Sequence, residues 1–195
     1  MKKKTILFAA VLTFNFQLST FNCFAQANLP GAGNALSFNG TSDYVSVPNS
    51  ASLNFGTGDF SVSAWVYVAS GVSGVDKTVV GKHDWSIYRG WLLEVDAPTN
   101  WVRFLVRESL GSEVDLSGGV ISSDSWHFIA GVKNGTTYEV YVDGVKTGSL
   151  SSTSWNVSNS TDVNISRTDI SRFIKGQIDE VRIWNRALTQ TEIRD

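Results

Sequence analysis

Two pairs of carboxylates have a spacing that could serve acid–base chemistry. Glu94 and Asp96 flank one valine, and Glu113 and Asp115 flank another. Residues two apart in a strand point to the same face, and retaining glycosidases hold an acid and a nucleophile about 5 to 5.5 Å apart. Carboxylates also line the solvated face of many alternating strands. We favour that structural explanation, expect no catalytic residues, and keep glycoside hydrolysis as the lesser alternative.

Other catalytic chemistry is limited by the residue counts. The only histidines are His83 and His127, and the single cysteine is Cys23. Too few ligands are therefore present for a zinc site of histidine and cysteine, and a Ser-His-Asp triad would have to use one of the two histidines. The sequence also contains no nucleophile elbow and no phosphate-binding glycine motif.

The first 25 residues have the layout of a secretory signal peptide. Three lysines precede an apolar run over residues 6–16, and small residues lead up to a cleavage site after Ala25. The run is shorter than the roughly 20 apolar residues that a membrane-spanning helix needs. We therefore predict a secreted or cell-surface protein without a membrane span in the mature chain. It would consist of a short lead-in over residues 26–33 and one domain over residues 34–195.

The charge balance disfavours nucleic acid as a partner. The chain has 16 basic and 18 acidic residues, and no block of Lys or Arg lies beyond residue 4, so the basic surface that binds a duplex is missing. Cleavage after Ala25 would leave 13 basic and 18 acidic residues, a net charge of −5 and no cysteine. A secreted domain without disulfides depends on its core, and a bound ion would be a supplement.

Short runs with period-two alternation dominate the rest of the sequence. In residues 60–68, for example, an aliphatic face alternates with a face that carries two large aromatic rings. Asn134-Gly135 and Asp143-Gly144 suit two-residue hairpin turns, and Thr189 and Glu192 have the spacing of a helix capping box. About a dozen such strands indicate an antiparallel two-sheet sandwich or jelly roll.

Three segments, taken in order, carry a family pattern. The first is ALSFNGTSDYVSVP over residues 35–48, continued by DFSVSAWV over residues 59–66. The second is SWHFIAGV followed by YEVYVDG over residues 125–144, and the third is GQIDEVRIWNRALT over residues 176–189. Their order resembles the LamG-like jellyroll family of the concanavalin A-like lectin/glucanase superfamily, over almost all of residues 34–195. The resemblance implies an all-β, two-sheet antiparallel jelly-roll sandwich, an architecture that hosts glycan binders, adhesion modules and a few hydrolases.

The resemblance also brings the first and last segments together, where a calcium ion is often held by side-chain oxygens and backbone carbonyls. The candidate ligands are Asn39, Asp43 and Asp179. Calcium takes about six to eight oxygen ligands, so backbone groups near Gly40 and water would have to complete the shell. At this point the family pattern resembles Phe-Asp-Gly, and this chain has Asn39 in place of the aspartate. The alternative is a plain turn at Asn39-Gly40 that Asp43 caps.

Aromatic side chains are numerous, with 7 Trp, 5 Tyr and 11 Phe. Trp65, Trp126 and Trp184 lie inside the segments that resemble the family, and we expect them in the core. Rings in less regular segments could stack against the apolar face of a sugar, while polar neighbours direct hydrogen bonds to its hydroxyls. Alternatively, these rings cover sheet edges. The candidate glycan-binding residues are Asp84, Trp85, Tyr88, Arg89, Trp91, Trp101 and Trp155.

The function that we prefer from the sequence is a secreted, non-catalytic module that binds an extracellular glycan. Calcium is the only cofactor that the residues suggest. A protein-binding adhesion or structural module that recognises a cell-surface protein is the alternative. A glycoside hydrolase is less favoured. The catalytic motif of the hydrolases of this superfamily resembles Glu-x-Asp followed within two residues by a second Glu, and both carboxylate pairs of this chain lack that second Glu.

Overall fold

The computed structural model describes residues 34–71, 76–97, 99–168 and 172–194. The predicted signal peptide and lead-in, residues 1–33, lie outside the described residues. The described parts form twelve strands and two short helices. The strands are β1 (Leu36–Asn39), β2 (Val45–Val47), β3 (Phe60–Val68), β4 (Lys77–Asp84), β5 (Arg89–Val95), β6 (Trp101–Ser109), β7 (Ser112–Val120), β8 (Trp126–Asn134), β9 (Thr137–Val142), β10 (Val145–Ser151), β11 (Val163–Ile165) and β12 (Lys175–Trp184), and the helices are a 3₁₀ turn (Ala51–Leu53) and α1 (Gln190–Arg194).

The strands pair into two antiparallel sheets of six strands each. The first sheet has the order β1-β12-β3-β8-β9-β10, and the second has the order β2-β11-β4-β5-β6-β7. β1 pairs with β12, with Leu36 opposite Ile178, so the two ends of the domain meet in one sheet. This arrangement confirms the predicted all-β jelly-roll sandwich.

Local signals in the sequence place one of two hairpin turns and one helix start correctly. Asp143 and Gly144 both have positive φ, 49° and 74°, and connect β9 to β10 as predicted. Thr189 and Glu192 form the predicted capping box, with the Glu192 amide donating to Thr189 Oγ1 at 3.3 Å. The β8–β9 turn is displaced by one residue, because Asn134 pairs with Thr137. Among the described residues, no helix combines the length and apolar character needed to cross a bilayer.

The core consists of alternate strand residues that face the space between the sheets. In β3, Phe60, Val62 and Val66 are fully buried. The opposite sheet supplies Trp91 and Phe104, and each of these ring centroids lies 5.8 Å from the centroid of Phe60. Full burial stabilises each such side chain by about 1.5–3 kcal/mol, which is how a domain without disulfides is supported.

The prediction that Trp65 and Trp126 belong to the core is wrong, whereas Trp184 packs against a second cluster of buried residues that includes Leu188. All three are half-buried, and Trp65 and Trp126 lie on the outer face of the first sheet, because the aliphatic residues of β3 take the inward positions. The ring centroids of Trp65 and Phe128 are 5.7 Å apart, and those of Tyr67 and Trp126 are 5.9 Å apart. We call Trp65, Tyr67, Trp126 and Phe128 the outer aromatic strip.

Two buried lysines, one from each sheet, hold the loop over residues 152–162, which we call the end loop. The Lys82 ammonium donates to the carbonyl oxygens of Asn159 and Thr161, at 2.8 Å each. The Lys133 ammonium donates to Ser154 Oγ at 2.8 Å. Both lysine side chains are fully buried. Because a buried ammonium without partners is very costly, the end loop has to close over both of them.

Asn159 connects the end loop to the base of the β4–β5 hairpin. Its side-chain Nδ2 donates to the Arg89 carbonyl at 3.0 Å, and its Oδ1 accepts from Lys82 Nζ at 2.9 Å. Gly90 makes this close approach possible. Its φ is 136°, and a Cβ atom there would lie 2.0 Å from the Lys82 carbonyl oxygen and 2.9 Å from Asn159 Nδ2.

We predict that Lys82→Met lowers the free energy of unfolding by about 2–4 kcal/mol, because it leaves two buried carbonyl oxygens without their donor. Urea denaturation measures this value. The matched control is Lys175→Met at an exposed position of β12, which should change stability by less than about 0.5 kcal/mol. Equal stability of the Lys82 variant and the wild type would show that the end loop is held in another way.

Candidate functional site

The outer face of the second sheet carries charged side chains on four neighbouring strands. Because successive strand residues alternate between faces, the neighbours of the core residues Leu93 and Phe104 point outward. The register places His83 in one row with Gly90, Arg107 and Glu113. The outward set from β4 to β7 is His83, Leu92, Glu94, Arg103, Leu105, Arg107, Glu113 and Asp115.

Aromatic rings and arginines meet at the β4–β5 hairpin, at one end of this face. The centroid of the Trp85 indole ring lies 4.4 Å from the ring centroid of His83 and 6.2 Å from that of Tyr88. The guanidinium carbon of Arg172 lies 5.0 Å from the Trp85 centroid, and that of Arg107 lies 5.8 Å from the Tyr88 centroid. These are cation–π distances. We call these five residues the hairpin cluster.

The hairpin cluster contains buried polar atoms that have no hydrogen-bond partner among the described residues. They are both ring nitrogens of His83, the indole Nε1 of Trp85 and Arg107 Nε, of which only Arg107 Nε has an ion-pair partner, Glu113. His83 is only 8% exposed. Burial, together with the nearby Arg107 charge, lowers the pKa of His83 to about 4, so the ring is neutral at pH 7. Buried polar groups in folded proteins nearly always have a partner, which makes this cluster the strongest indication of a ligand or ordered water.

Tyr88 is held outward by an unusual backbone conformation. Its φ is 52°, and its side chain is 37% exposed. Positive φ is uncommon for a bulky residue, and backbone strain of this kind concentrates at functional sites. The hairpin therefore presents an aromatic ring to solvent beside the Trp85 ring and the Arg107 guanidinium.

The carboxylates that suggested acid–base chemistry are engaged by arginines. Glu94 is fully buried, so the prediction of a solvated position is wrong for it. Its carboxylate accepts from Arg172 Nη1 at 3.1 Å and from Thr78 Oγ1 at 3.0 Å. Arg103 pairs with Asp115, and Arg107 pairs with Glu113. Breaking a buried pair is strongly destabilising, so the contacts of Glu94, whose side chain is fully buried, fix the middle of the face.

Asp76 and Asp96 share a hydrogen bond at the edge of this network. Burial raises the pKa of Asp76 to about 6, and the bond to Asp96 and the Glu94 charge also raise it, against the lowering effects of Arg103 and Arg172. The same bond to Asp76 lowers the pKa of Asp96. Asp76 therefore carries the shared proton at acidic pH. Asp96 itself lies after the end of β5, in the turn that leads to β6.

The structure places the seven candidate glycan-binding residues in different environments. Trp85 and Tyr88 come together in the hairpin cluster. Trp91 is fully buried in the core, so its predicted place at a surface site is wrong. Trp101 is 43% exposed on the same outer face, but six residues along β6 from Arg107, which is about 20 Å. Trp155 lies in the end loop, where its half-buried ring packs against the core.

Asp84 and Arg89 lie in the same hairpin but shape it from within. Asp84 Oδ1 accepts from the Ser86 amide at 2.9 Å, which closes the turn after β4. Arg89 Nε donates to the Glu108 carbonyl at 2.9 Å. Both side chains therefore position Trp85 and Tyr88, and their predicted direct role toward a glycan stays a prediction.

Patterns in the sequence did not identify Arg107 or Arg172 as site residues, and they suggested His83 only as a possible catalytic residue. Arg103, Leu105 and Arg107 occupy every second position of β6 and therefore share one face. This pattern could have identified Arg107. No comparable signal exists for Arg172, because it is far from Trp85 in sequence and reaches it only through the fold.

The three predicted calcium ligands do not lie together. Asn39 and Asp43 contact each other, with Asn39 Nδ2 donating to Asp43 Oδ1 at 2.9 Å. Asn39 pairs with Lys175, so Asp179 lies four residues further along β12, about 13 Å away. One ion cannot span that distance with ligands at about 2.3–2.6 Å. The described residues include no group of three or more His, Cys, Asp or Glu that could hold a metal. Calcium binding by fewer of these ligands stays a prediction.

His127 is flanked as in a Ser-His-Asp triad. Its Nε2 lies 2.8 Å from Ser122 Oγ, and its Nδ1 lies 2.8 Å from Asp143 Oδ2. However, the Ser122 backbone amide also donates to Nε2, at 3.2 Å, and competes with the hydroxyl for the single lone pair. Asp143 in turn accepts from the Phe128 amide at 2.9 Å. We therefore interpret the arrangement as a tie between the β7–β8 connection and the β9–β10 turn.

We predict that the Asp76 carboxyl titrates with a midpoint near pH 6, because of its burial and its bond to Asp96. Carbon-13 NMR of the carboxyl groups measures the midpoint. Asp124 is the internal control, because hydrogen bonds from Ser70 lower its pKa. Since folded Asp76 holds its proton more tightly than the unfolded chain, its contribution to stability falls as the pH rises from about 4 to about 6. Asp76→Asn should flatten that window, and an Asp76 midpoint at or below pH 4 would contradict the shared proton.

Solved structures with this architecture include several binding domains. Domain 4 of AbnA, a GH43 extracellular arabinanase from Geobacillus stearothermophilus, in complex with arabinotriose, has a TM-score of 0.67 and 21% identity, covering 85% of this chain and 77% of that one. The CBM40 of Ruminococcus gnavus IT-sialidase bound to α2,3-sialyllactose has a TM-score of 0.62 and 9% identity, covering 78% and 95%. The binding domain of Paraclostridial Mosquitocidal Protein 1 has a TM-score of 0.67 and 19% identity, with 82% of this chain aligned to 42% of that one. At these identities the likeness shows the fold alone.

The family is shown by the sequence itself. No curated protein matches the chain. The Laminin_G_3 family model, described as the concanavalin A-like lectin/glucanases superfamily, matches residues 39–194. The match runs from the end of β1 to the end of α1 and contains the hairpin cluster. The chain therefore belongs to the Laminin_G_3 family of the concanavalin A-like lectin/glucanase superfamily.

Proposed function

We propose that this protein is a non-catalytic module that binds an extracellular glycan through the hairpin cluster. The observation that carries the proposal is the set of buried nitrogens on His83 and Trp85 that have no hydrogen-bond partner in the described part of the chain, beside the exposed ring of Tyr88. Ligand sites combine apolar and aromatic surface with a few placed polar groups.

The cluster offers the two kinds of contact that sugar binding needs. The rings of Trp85 and Tyr88 supply apolar area with limited loss of side-chain entropy. The indole N–H and the neutral His83 ring supply directed hydrogen bonds to hydroxyl groups. Lys82 and Asn159 hold the base of the hairpin, so the site is preorganised, which reduces the cost of binding.

The structural comparisons support a glycan as the ligand. The AbnA domain was solved with arabinotriose and the CBM40 with α2,3-sialyllactose, and both share this sandwich. The predicted signal peptide supports a location outside the cell, where such ligands occur. Calcium is a separate prediction and is not required by the hairpin cluster.

The carboxylates of the outer face support a binding role over hydrolysis. Glu94, Glu113 and Asp115 are each engaged by an arginine. Asp76 and Asp96 lie close enough for each to shift the pKa of the other, upward for Asp76 and downward for Asp96. Glycosidases hold their two carboxyl groups at least about 5 Å apart so that the sugar fits between them.

Protein binding is the second candidate, and the outer aromatic strip is the observation that favours it. Its four rings lie half-buried on the opposite sheet from the hairpin cluster. Aromatic residues are enriched in protein interfaces. The two candidates therefore use different faces and can be separated by substitution.

We predict that Trp85→Ala and Tyr88→Ala each weaken glycan binding at least about tenfold, because each removes an aromatic contact and Trp85 also supplies the indole donor. A glycan array identifies the ligand, and isothermal titration calorimetry measures the affinities. Trp101→Ala is the matched control, an exposed tryptophan on the same sheet face, and should change affinity less than about twofold.

The opposite pattern of binding losses would place the binding site on the outer aromatic strip. If Trp126→Ala abolishes binding to cells while Trp85→Ala retains it, the protein-binding candidate is correct. Thermal unfolding midpoints of all variants serve as the check that each one is folded.

A further inference from the structure

The charged groups near the hairpin cluster already satisfy one another. Arg107 pairs with Glu113, and Arg172 pairs with Glu94 and Asp76. Arg103, further along the face, pairs with Asp76 and Asp115. Each of these three guanidinium groups therefore has at least one carboxylate of the chain itself against it. An anionic ligand would have to displace one of those carboxylates or lie beside it.

Apart from Arg107 Nε and Glu113 Oε2, which form an ion pair with each other, the buried side-chain atoms on this face that lack a described hydrogen-bond partner belong to neutral groups. Besides the nitrogens of His83 and Trp85, they include Asn164 Oδ1 and Ser166 Oγ. Asn164 lies opposite Gly81, two residues before His83 on β4, and alternates with the core residues Val163 and Ile165. Its side chain therefore points to the same outer face as His83.

The hydrogen-bonding capacities of these groups match hydroxyls better than carboxylates. A neutral His83 offers one donor and one acceptor, Trp85 offers a donor, and Asn164 Oδ1 offers an acceptor. A sugar hydroxyl can donate and accept, so it can satisfy every one of them. A carboxylate only accepts, so it would leave the acceptor atoms unpaired, and an unpaired buried polar atom costs the full desolvation penalty.

We propose that the hairpin cluster selects uncharged sugars and discriminates against sialylated or uronic-acid glycans. This inference rests on the proposed function and adds the chemical class of the ligand. Selection comes from the built-in carboxylates, which neutralise Arg107 and Arg172 and repel a second anion. The arginines thus act as flat surfaces that pack against the aromatic rings.

The test uses glycan pairs that differ only by an acidic group. The full chain is applied to a glycan array that holds each backbone with and without a terminal sialic acid or a uronic acid, and the strongest pair is measured by calorimetry at 50 and 500 mM NaCl. We expect the neutral member to bind at least about fivefold more tightly, with less than a twofold change in affinity between the two salt concentrations. Tighter binding of acidic members, weakened by salt, would overturn the selectivity and leave glycan binding intact. No binding to any glycan would instead overturn the proposed function.

A substitution provides an independent check. Glu113→Gln removes the carboxylate that pairs with Arg107 and keeps its size. It should raise the affinity for the acidic member of the pair about fivefold, because a free guanidinium binds carboxylates well. Glu108→Gln on the neighbouring strand β6 is the control, because Glu108 forms no ion pair among the described residues, and it should leave both affinities unchanged. An unchanged preference in the Glu113 variant would show that the ion pairs do not set selectivity.

Discussion

The burial of the Lys82 ammonium is the constraint on which the arrangement of the site depends. A charge inside a β-sandwich requires several oxygen partners, and here the end loop supplies all three. The same loop places Asn159 against the Arg89 carbonyl, at the base of the β4–β5 hairpin. Lys133 holds the other end of the loop against the first sheet. The hairpin that presents Trp85 and Tyr88 is therefore anchored by buried polar contacts, and its rings do not depend on a free loop for their positions.

The high aromatic content now has three separate explanations. Phe60, Trp91 and Phe104 contact one another between the sheets and stabilise the core. The outer aromatic strip covers part of the first sheet. The rings of the hairpin cluster are left with polar atoms that the described part of the fold does not satisfy. Trp91 in the core also has a buried indole Nε1 without a described partner, but only the last group combines such atoms with an exposed aromatic ring, that of Tyr88, and this combination is typical of a ligand site.

Local patterns predicted the strands, the Asp143-Gly144 turn and the capping box, because each depends on residues close in sequence. Alternation failed where both faces of a strand are apolar. It could not decide whether Trp65 or Val66 faces inward. Trp91 was predicted to lie at a surface site, but the fold buries it in the core. The cluster was half predicted: Trp85 and Tyr88 follow from an irregular aromatic segment, whereas Arg172 arrives from a distant part of the chain. The carboxylate pairs were recognised by spacing, but their arginine partners come from other strands, and only the register shows those pairs.

The central claim is that a glycan binds at the hairpin cluster and satisfies the Trp85 indole. Proton–nitrogen NMR resolves one signal for each tryptophan indole, and the tryptophan variants assign these signals. Titration with an oligosaccharide that binds should shift the Trp85 indole N–H signal downfield as it gains a hydrogen bond, while the signal of Trp101 stays in place. If the Trp85 signal does not move while those of Trp65 or Trp126 do, the ligand binds the opposite sheet and the proposed glycan site at the hairpin cluster is wrong.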